Sequence, residues 1–153
     1  MNNPSVIPHL TVDGARAAIA FYENAFGFKV TRLQETPDKA KIVHCSMENE
    51  RGGVVMLCDA FPEMHQGAKQ TPEALGGTPV TIHLDLSDVD AVWARALKAG
   101  ASVAMPLQDM FWGARYGIVT DPFGHRWSLA TEKATPTEEQ LDEGAQKYFP
   151  KKP

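Results

Sequence analysis

The feature that most constrains the fold is an internal repeat. When His9-Leu10 is aligned with His83-Leu84, a helical stretch follows in both places, and the glycines that end the two helices, Gly27 and Gly100, fall 18 and 17 residues after the histidine. A unit repeated only twice predicts a pair of related modules in one domain, because a solenoid needs at least three copies. The 153 residues are enough for such a pair.

Each copy shows the same order of predicted elements, a strand, a helix and three more strands. In the first copy we predict strands at 6–12, 28–33, 41–47 and 53–58 around a helix at 15–26. In the second copy we predict strands at 80–86, 101–104, 116–120 and 126–130 around a helix at 89–99. The sequence therefore predicts an α+β fold in which two tandem βαβββ modules form a curved mixed sheet with the shape of a cup.

The composition of the sequence indicates where the predicted domain, its linker and its C-terminal tail begin and end. The stretch 59–79 is polar and holds three prolines and three glycines, which is typical of a surface connection. We therefore expect one domain over 1–132, with modules at about 5–58 and 80–131 and a linker at 59–79. The remaining 133–153 should be a C-terminal helical tail, whose helix begins near Thr135-Pro-Thr-Glu-Glu139.

Charge and hydropathy exclude several classes of function. The net charge is −4, and Lys151-Lys152 is the only basic cluster, so we expect neither nucleic acid nor a membrane surface as a partner. The sequence has no apolar segment of membrane-spanning length and no signal-peptide pattern at its start, and we expect a cytoplasmic protein. The two cysteines, Cys45 and Cys58, should then be reduced.

Strand alternation predicts which side chains share a face. Leu10 and Leu84 should pack under the helices, so His9 and His83, at matching places in the two modules, should lie on the opposite face. Two interpretations of the histidine pair remain open. The imidazoles either form hydrogen bonds within the sheet or belong to a binding site. His44 lies on a third predicted strand.

A second informative stretch is 109–117, which combines aromatic residues, glycines and an arginine in a predicted loop. Phe111 and Trp112 could line a pocket, with the guanidinium of Arg115 binding an anionic group. The alternative is that the aromatic rings belong to the core and that Arg115 pairs with a neighbouring carboxylate.

Several motifs give the chain a specific resemblance. It resembles the vicinal oxygen chelate superfamily, which includes glyoxalases, bleomycin-resistance proteins and dioxygenases, and within it the PhnB-like branch. The residues that carry this resemblance are Pro8-His9-Leu10, Ala18-Ile-Ala-Phe-Tyr-Glu-Asn-Ala-Phe-Gly27, Val55-Met-Leu-Cys-Asp59, Asp88-Val-Asp-Ala91, Trp112-Gly-Ala-Arg-Tyr-Gly117 and Asp121-Pro-Phe-Gly-His-Arg-Trp127.

The resemblance also implies where a metal would bind. Metalloenzymes of the superfamily take one ligand from each of four strands, and the corresponding positions here are Ile7, Met56, Thr81 and Ser128. These side chains lack the carboxylate or imidazole donors that hold a divalent ion, so we expect no cofactor at the usual positions. A displaced metal site is the alternative, built from His9 and His83 with Asp85 or His44.

Two functions follow from the resemblance. The first is a homodimer that binds a small organic ligand in an aromatic-lined cup at the dimer interface, as drug-sequestering resistance proteins do. The second is a divalent-metal-dependent lyase or isomerase, or a dioxygenase-like enzyme, that uses the displaced site. The predicted ligand-binding residues are His9, Met56, Thr81, His83, Phe111, Trp112, Arg115 and Ser128, and Trp127 is a further candidate for the aromatic lining. A third interpretation, a methyltransferase, follows only from the resemblance to relatives, and no glycine-rich nucleoside-binding loop in this sequence supports it.

Overall fold

Two four-stranded sheets form the fold in a computed structural model, which describes residues 4–150. The first sheet contains β1 (His9–Val12), β2 (Lys29–Glu35), β3 (Ile42–Glu48) and β4 (Val54–Asp59). The second contains β5 (Thr81–Asp85), β6 (Ser102–Asp109), β7 (Ala114–Thr120) and β8 (Arg126–Glu132). The strand orders are β1-β4-β3-β2 and β5-β8-β7-β6, so the two modules have the same topology. The predicted α+β fold with tandem βαβββ modules is confirmed.

The helices are α1 (Ala15–Phe26), α2 (Pro72–Leu75), α3 (Val89–Lys98) and α4 (Glu138–Tyr148). Gly27 ends α1 in the left-handed region, with φ 74°, as its place after the apolar repeat predicts. Asp88 begins α3 by accepting a hydrogen bond from the N–H of Ala91. The stretch 59–79 is not a plain connection, because it contains α2 and a short 3-10 helix at Pro62–Met64.

Several strands differ in length from the prediction. β1 starts at His9, so Ile7 lies before the strand. β6 runs through Pro106 to Asp109, well beyond the predicted end at residue 104. A proline is tolerated there because β6 is at the edge of its sheet. β7 begins at Ala114, and the predicted loop at 109–117 shrinks to a tight turn between two strands.

The two modules share one hydrophobic core. Leu10 of the first sheet and Leu84 of the second both lie in it, and α1 packs against α3. Trp127 of β8 is fully buried in this core, with ring centroids 5.2 Å from Tyr22 and 4.8 Å from Phe26 of α1. Because the helix-side faces of both sheets enclose the same core, the other two faces of the sheets point away from each other. We call these the first and second open faces.

The C-terminal helix α4 packs against the turn between β6 and β7. Thr137 caps it in a capping box with Gln140, two residues beyond the predicted start of the signal at Thr135. A Cβ at Gly144 would come within 2.6 Å of Phe111, so a glycine is needed for this close contact. The part of the predicted tail at 151–153 lies outside the described residues. Within residues 4–150, no helix is long and apolar enough to cross a membrane.

Candidate functional site

His83 is the central polar residue of the second open face. Its Nδ1 lies 2.8 Å from Ser128 Oγ on the neighbouring strand, and its Nε2 lies 3.2 Å from Asp85 Oδ1 on its own strand. Sheet geometry explains both contacts, because His83 and Ser128 are cross-strand partners and Asp85 follows His83 by two residues on the same face. Both ring nitrogens of the imidazole are therefore engaged.

The order Asp85, His83, Ser128 gives a carboxylate, an imidazole and a hydroxyl in contact. Ser128 is only 3% exposed, and its strand is paired on one side with β5 and on the other with β7. Backbone N–H groups in such a ladder are already hydrogen-bonded to the neighbouring strands, so they are not available to stabilise an oxyanion beside Ser128. The trio therefore does not have the surroundings of a nucleophilic serine. The arrangement fixes the orientation of an imidazole that is itself half-exposed, with 47% of its side-chain surface open.

A row of aromatic rings continues from His83 along the second open face. The His83 ring stacks on Tyr116 at a centroid distance of 6.2 Å, and Tyr116 meets Trp112 edge-on at 5.5 Å. Trp112 in turn meets Phe111 at 5.1 Å, and Phe111 contacts Tyr148 of α4 at 5.7 Å. The row therefore places Trp112 beside the open face, whereas Phe111 packs under α4.

The first open face carries the other predicted histidines. The rings of His9 and His44 lie 6.0 Å apart, and His44 Nε2 is 3.1 Å from Ser46 Oγ. Burial lowers the pKa of His44, and the nearby His9 and Arg32 lower it further. Met56 lies on the same face, directly opposite His9 on the neighbouring strand.

The predicted ligand-binding residues thus fall into two groups. Thr81, His83 and Ser128 share the second open face, and His9 and Met56 share the first. Since the two faces point away from each other, one chain alone does not bring the groups together.

Arg115 lies on the helix side of the second sheet, in contrast to its predicted place in the cup. Its Nε donates to both carboxylate oxygens of Asp90 on α3 at 2.9 Å, and its Nη1 lies 3.3 Å from Asp109. The alternative interpretation, pairing with neighbouring carboxylates, is the one that the structure supports. The nearby cavity of about 570 Å³, lined by these residues and Lys133, belongs to that side of the sheet.

Trp127 is also misplaced by the sequence interpretation. It lies in the core with no exposed surface, and its Nε1 donates to Asp121 Oδ2 at 2.8 Å. It therefore contributes to the stability of the fold and does not line an open face.

The family model for the glyoxalase/bleomycin resistance protein/dioxygenase superfamily matches residues 6–129. The chain belongs to this superfamily. An uncharacterized protein of Mycobacterium bovis is 51% identical over 126 residues, which are 82% of this chain and 82% of that protein.

Solved structures of this superfamily and of similar proteins share the fold. TioX from Micromonospora sp. ML1 is 30% identical, with a TM-score of 0.62 over 84% of this chain and 98% of TioX. A glyoxalase-related enzyme from Fulvimarina pelagi is 19% identical, with a TM-score of 0.64 over 86% of this chain and 89% of the enzyme, and it supports the fold alone.

The residues that the resemblance places at the superfamily's metal positions do not fit a divalent ion. Ile7 and Met56 offer no oxygen or nitrogen donor, and the hydroxyls of Thr81 and Ser128 are weak ligands. The displaced set does not assemble in one chain either. His9 and His83 lie on opposite open faces, and within residues 4–150 no three His, Cys, Asp or Glu side chains converge.

One residue of the second open face was missed by the sequence analysis. Arg126 begins β8, opposite Thr81 on one side and Thr120 on the other. The signal was present in the sequence, because Arg126 is two residues from the predicted site residue Ser128 on the same predicted strand, and alternation therefore places both on one face.

Proposed function

We propose that this protein is a ligand-binding member of the PhnB-like branch, and that it binds a small organic molecule against the second open face. The observation that carries the proposal is the row formed by His83, Tyr116 and Trp112. Two partly exposed aromatic rings in edge-on contact, one of them stacked on an oriented and half-exposed imidazole, provide apolar contact together with a hydrogen-bonding group, which is the usual composition of a small-molecule site.

The site needs a second copy of the chain to become concave. Each open face is a single sheet surface, and β1 and β5 are edge strands with one unpaired side. A twofold axis can place the first open face of one protomer over the second open face of the other, and the same operation then forms two equivalent sites. The homodimer supplies His9 and Met56 from one side, and Thr81, His83, Trp112 and Ser128 from the other.

Binding is favoured over metal-dependent catalysis by the chemistry of these residues. Both nitrogens of the His83 imidazole already have partners, so a metal would have to displace Ser128 or Asp85. We expect the purified protein to contain no stoichiometric divalent ion. Elemental analysis that finds one equivalent in the parent protein, lost in a His9→Ala/His83→Ala variant, would overturn this and favour the lyase or dioxygenase-like function.

The binding proposal is tested with an uncharged aromatic probe, N-phenyl-1-naphthylamine, whose fluorescence rises in apolar sites. We expect saturable binding, weakened several-fold in His83→Ala and in Trp112→Ala. A matched control is Met64→Ser, which removes an exposed apolar side chain of the 3-10 helix at Pro62–Met64, outside the aromatic row, and should bind as the parent does. Saturation that is unchanged in both site variants would refute the proposed site.

Light scattering tests the dimer independently. A homodimer has twice the chain mass of 16.8 kDa. A protein that remains at the single-chain mass at micromolar concentrations contradicts the shared cup.

A further inference from the structure

Arg126 lies on the second open face, and among residues 4–150 its guanidinium has no hydrogen-bond or ion-pair partner. Its Nε is buried and forms no hydrogen bond, and among the described residues no carboxylate lies within 4.0 Å of its nitrogens. By contrast, Arg115 on the other side of the same sheet is held by two carboxylates, and Arg16 on α1 pairs with Glu35.

The position of Arg126 relative to His83 follows from the register. Trp127 and Leu129 point into the core with no exposed surface, so Arg126 and Ser128 point to the open face. Ser128 is the cross-strand partner of His83, and Arg126 is the partner of Thr81, two residues earlier on β5. Residues two apart on a strand are separated by roughly 6.6 Å. Arg126 and His83 are therefore diagonal neighbours on adjacent strands of the same open face, close enough for one small molecule to contact both side chains.

A partly buried cation with an unsatisfied donor favours an anionic ligand. A buried polar hydrogen that lacks an acceptor destabilises the protein, and a charge in this condition does so more strongly. An oxyanion would supply the missing acceptor, because the planar guanidinium can form two parallel hydrogen bonds to it. The hydroxyls of Thr81 and Thr120 flank this position and can donate to the same group.

We propose that Arg126 is the anion-binding residue of this site, and that the ligand is an apolar or aromatic molecule carrying a carboxylate or sulfonate. The inference rests on the proposed function of the second open face. The oxyanion binds at Arg126, and the apolar body lies across Ile118, next to Ser128 on the neighbouring strand, towards the ring of Tyr116.

A pair of probes with the same ring skeleton tests the inference. 8-Anilino-1-naphthalenesulfonate differs from N-phenyl-1-naphthylamine by its sulfonate group. We expect the parent protein to bind the sulfonate about 10- to 100-fold more tightly, because a hydrogen bond to a charged group contributes roughly 1.5–3 kcal/mol and each 1.4 kcal/mol is tenfold. In Arg126→Gln this preference should disappear, while the affinity for the uncharged probe stays within about twofold of the parent's.

Arg115→Gln is the matched control, since it removes a guanidinium from the opposite side of the same sheet and should retain the preference. Circular dichroism confirms that each variant is folded. If Arg126→Gln does not fold, Arg126→Lys keeps the charge without the planar fork and should show an intermediate preference.

The outcomes separate the two proposals. Binding of both probes with equal affinity, or a preference that survives in Arg126→Gln, overturns the role of Arg126 and leaves the proposed function standing. Absence of saturable binding for both probes refutes the proposed function itself. A preference that is lost only in Arg115→Gln would assign the anion to the cavity on the helix side.

Discussion

Replacing Asp121 with alanine should strongly destabilise the protein, because its buried carboxylate joins the two modules. Asp121 is 4% exposed. One oxygen accepts hydrogen bonds from the Tyr22 hydroxyl at 2.7 Å and from Trp127 Nε1 at 2.8 Å, and the other accepts from the backbone N–H groups of Phe123 and His125 at 2.9 Å. Tyr22 belongs to the first module and the other three residues to the second.

The size of the destabilisation in Asp121→Ala follows from the hydrogen-bond donors that are left without an acceptor. A buried donor that loses its partner destabilises the native state by about 1–3 kcal/mol. Tyr22 and Trp127 are both 0% exposed, so the two together predict a loss of about 4 kcal/mol in the free energy of unfolding. The two backbone N–H groups lie in a half-exposed turn and can bind water, so they add little.

Asp121→Asn should lose about half as much, roughly 2 kcal/mol, because one amide oxygen still accepts hydrogen bonds and the Tyr22 hydroxyl can turn to accept from the amide N–H. The Trp127 N–H then faces a donor and stays unsatisfied. Tyr22→Phe, which removes one donor and leaves the carboxylate with three, should lose about 1 kcal/mol.

Urea unfolding followed by far-ultraviolet circular dichroism measures this series. The expected order of destabilisation is Asp121→Ala, then Asp121→Asn, then Tyr22→Phe, with the denaturant dependence unchanged. Asp142→Ala, at an exposed position of α4, is the control and should change the free energy by less than about 0.5 kcal/mol. If Asp121→Ala is no less stable than Tyr22→Phe, the carboxylate does not hold the modules together as argued.

Three further predictions concern other groups of the fold. Burial raises the pKa of Tyr22 well above its ordinary value, and the Asp121 carboxylate raises it further. Because the hydroxyl of the unfolded chain ionises first, the native state keeps its full stability below about pH 10 and loses stability at higher pH. The urea midpoint of Tyr22→Phe should therefore fall less steeply with pH than that of the parent. Burial raises the pKa of Cys45 to about 11 and also raises that of Cys58. At pH 8 both thiols should therefore react slowly with a disulfide reagent in the native protein and quickly in urea. Rapid labelling of Cys45 in the native protein would contradict its burial. Asp59→Ala removes a carboxylate that accepts from the backbone N–H of Ala15, the first residue of α1, at 2.8 Å and from that of Gly14 just before it at 3.2 Å, and unfolding in urea should show a loss of about 1–3 kcal/mol.

The sequence predicted the helices and the repeat well because their signals are local. The α1 helix has an apolar period of three and four residues and ends at Gly27, and the structure gives it the predicted bounds, 15–26. The same local signals were present for α2 but were overlooked, since Thr71 caps it, Pro72 opens it and Gly76 ends it in the left-handed region. A composition rich in proline and glycine hid a short helix with ordinary start and stop residues.

The relation between the two modules could not be predicted in this way. Alternation placed Leu10 and Leu84 in the core and His9 and His83 on the opposite faces, and the structure confirms this placement. Alternation says nothing about whether the two helix layers pack against each other or lie on the outside of a shared cup. That choice depends on long-range contacts such as the packing of the Trp127 ring, at a tilt, against Tyr22 and Phe26.

The error over the arginines shows where strand alternation has to be applied. When 109–117 is treated as a loop, Arg115 has no assigned face, and a nearby pair of aromatic residues makes it a candidate for the pocket. Once β7 is known to begin at Ala114, Arg115 has the same parity as Gly117 and the buried Val119, which places it on the helix side. The same count along β8, from the buried Trp127, places Arg126 on the open face with Ser128. Of these two arginines, eleven residues apart, the sequence analysis assigned a role only to Arg115. The side of the sheet distinguishes them, because carboxylates of the protein hold the guanidinium of Arg115, whereas Arg126 lies on the second open face.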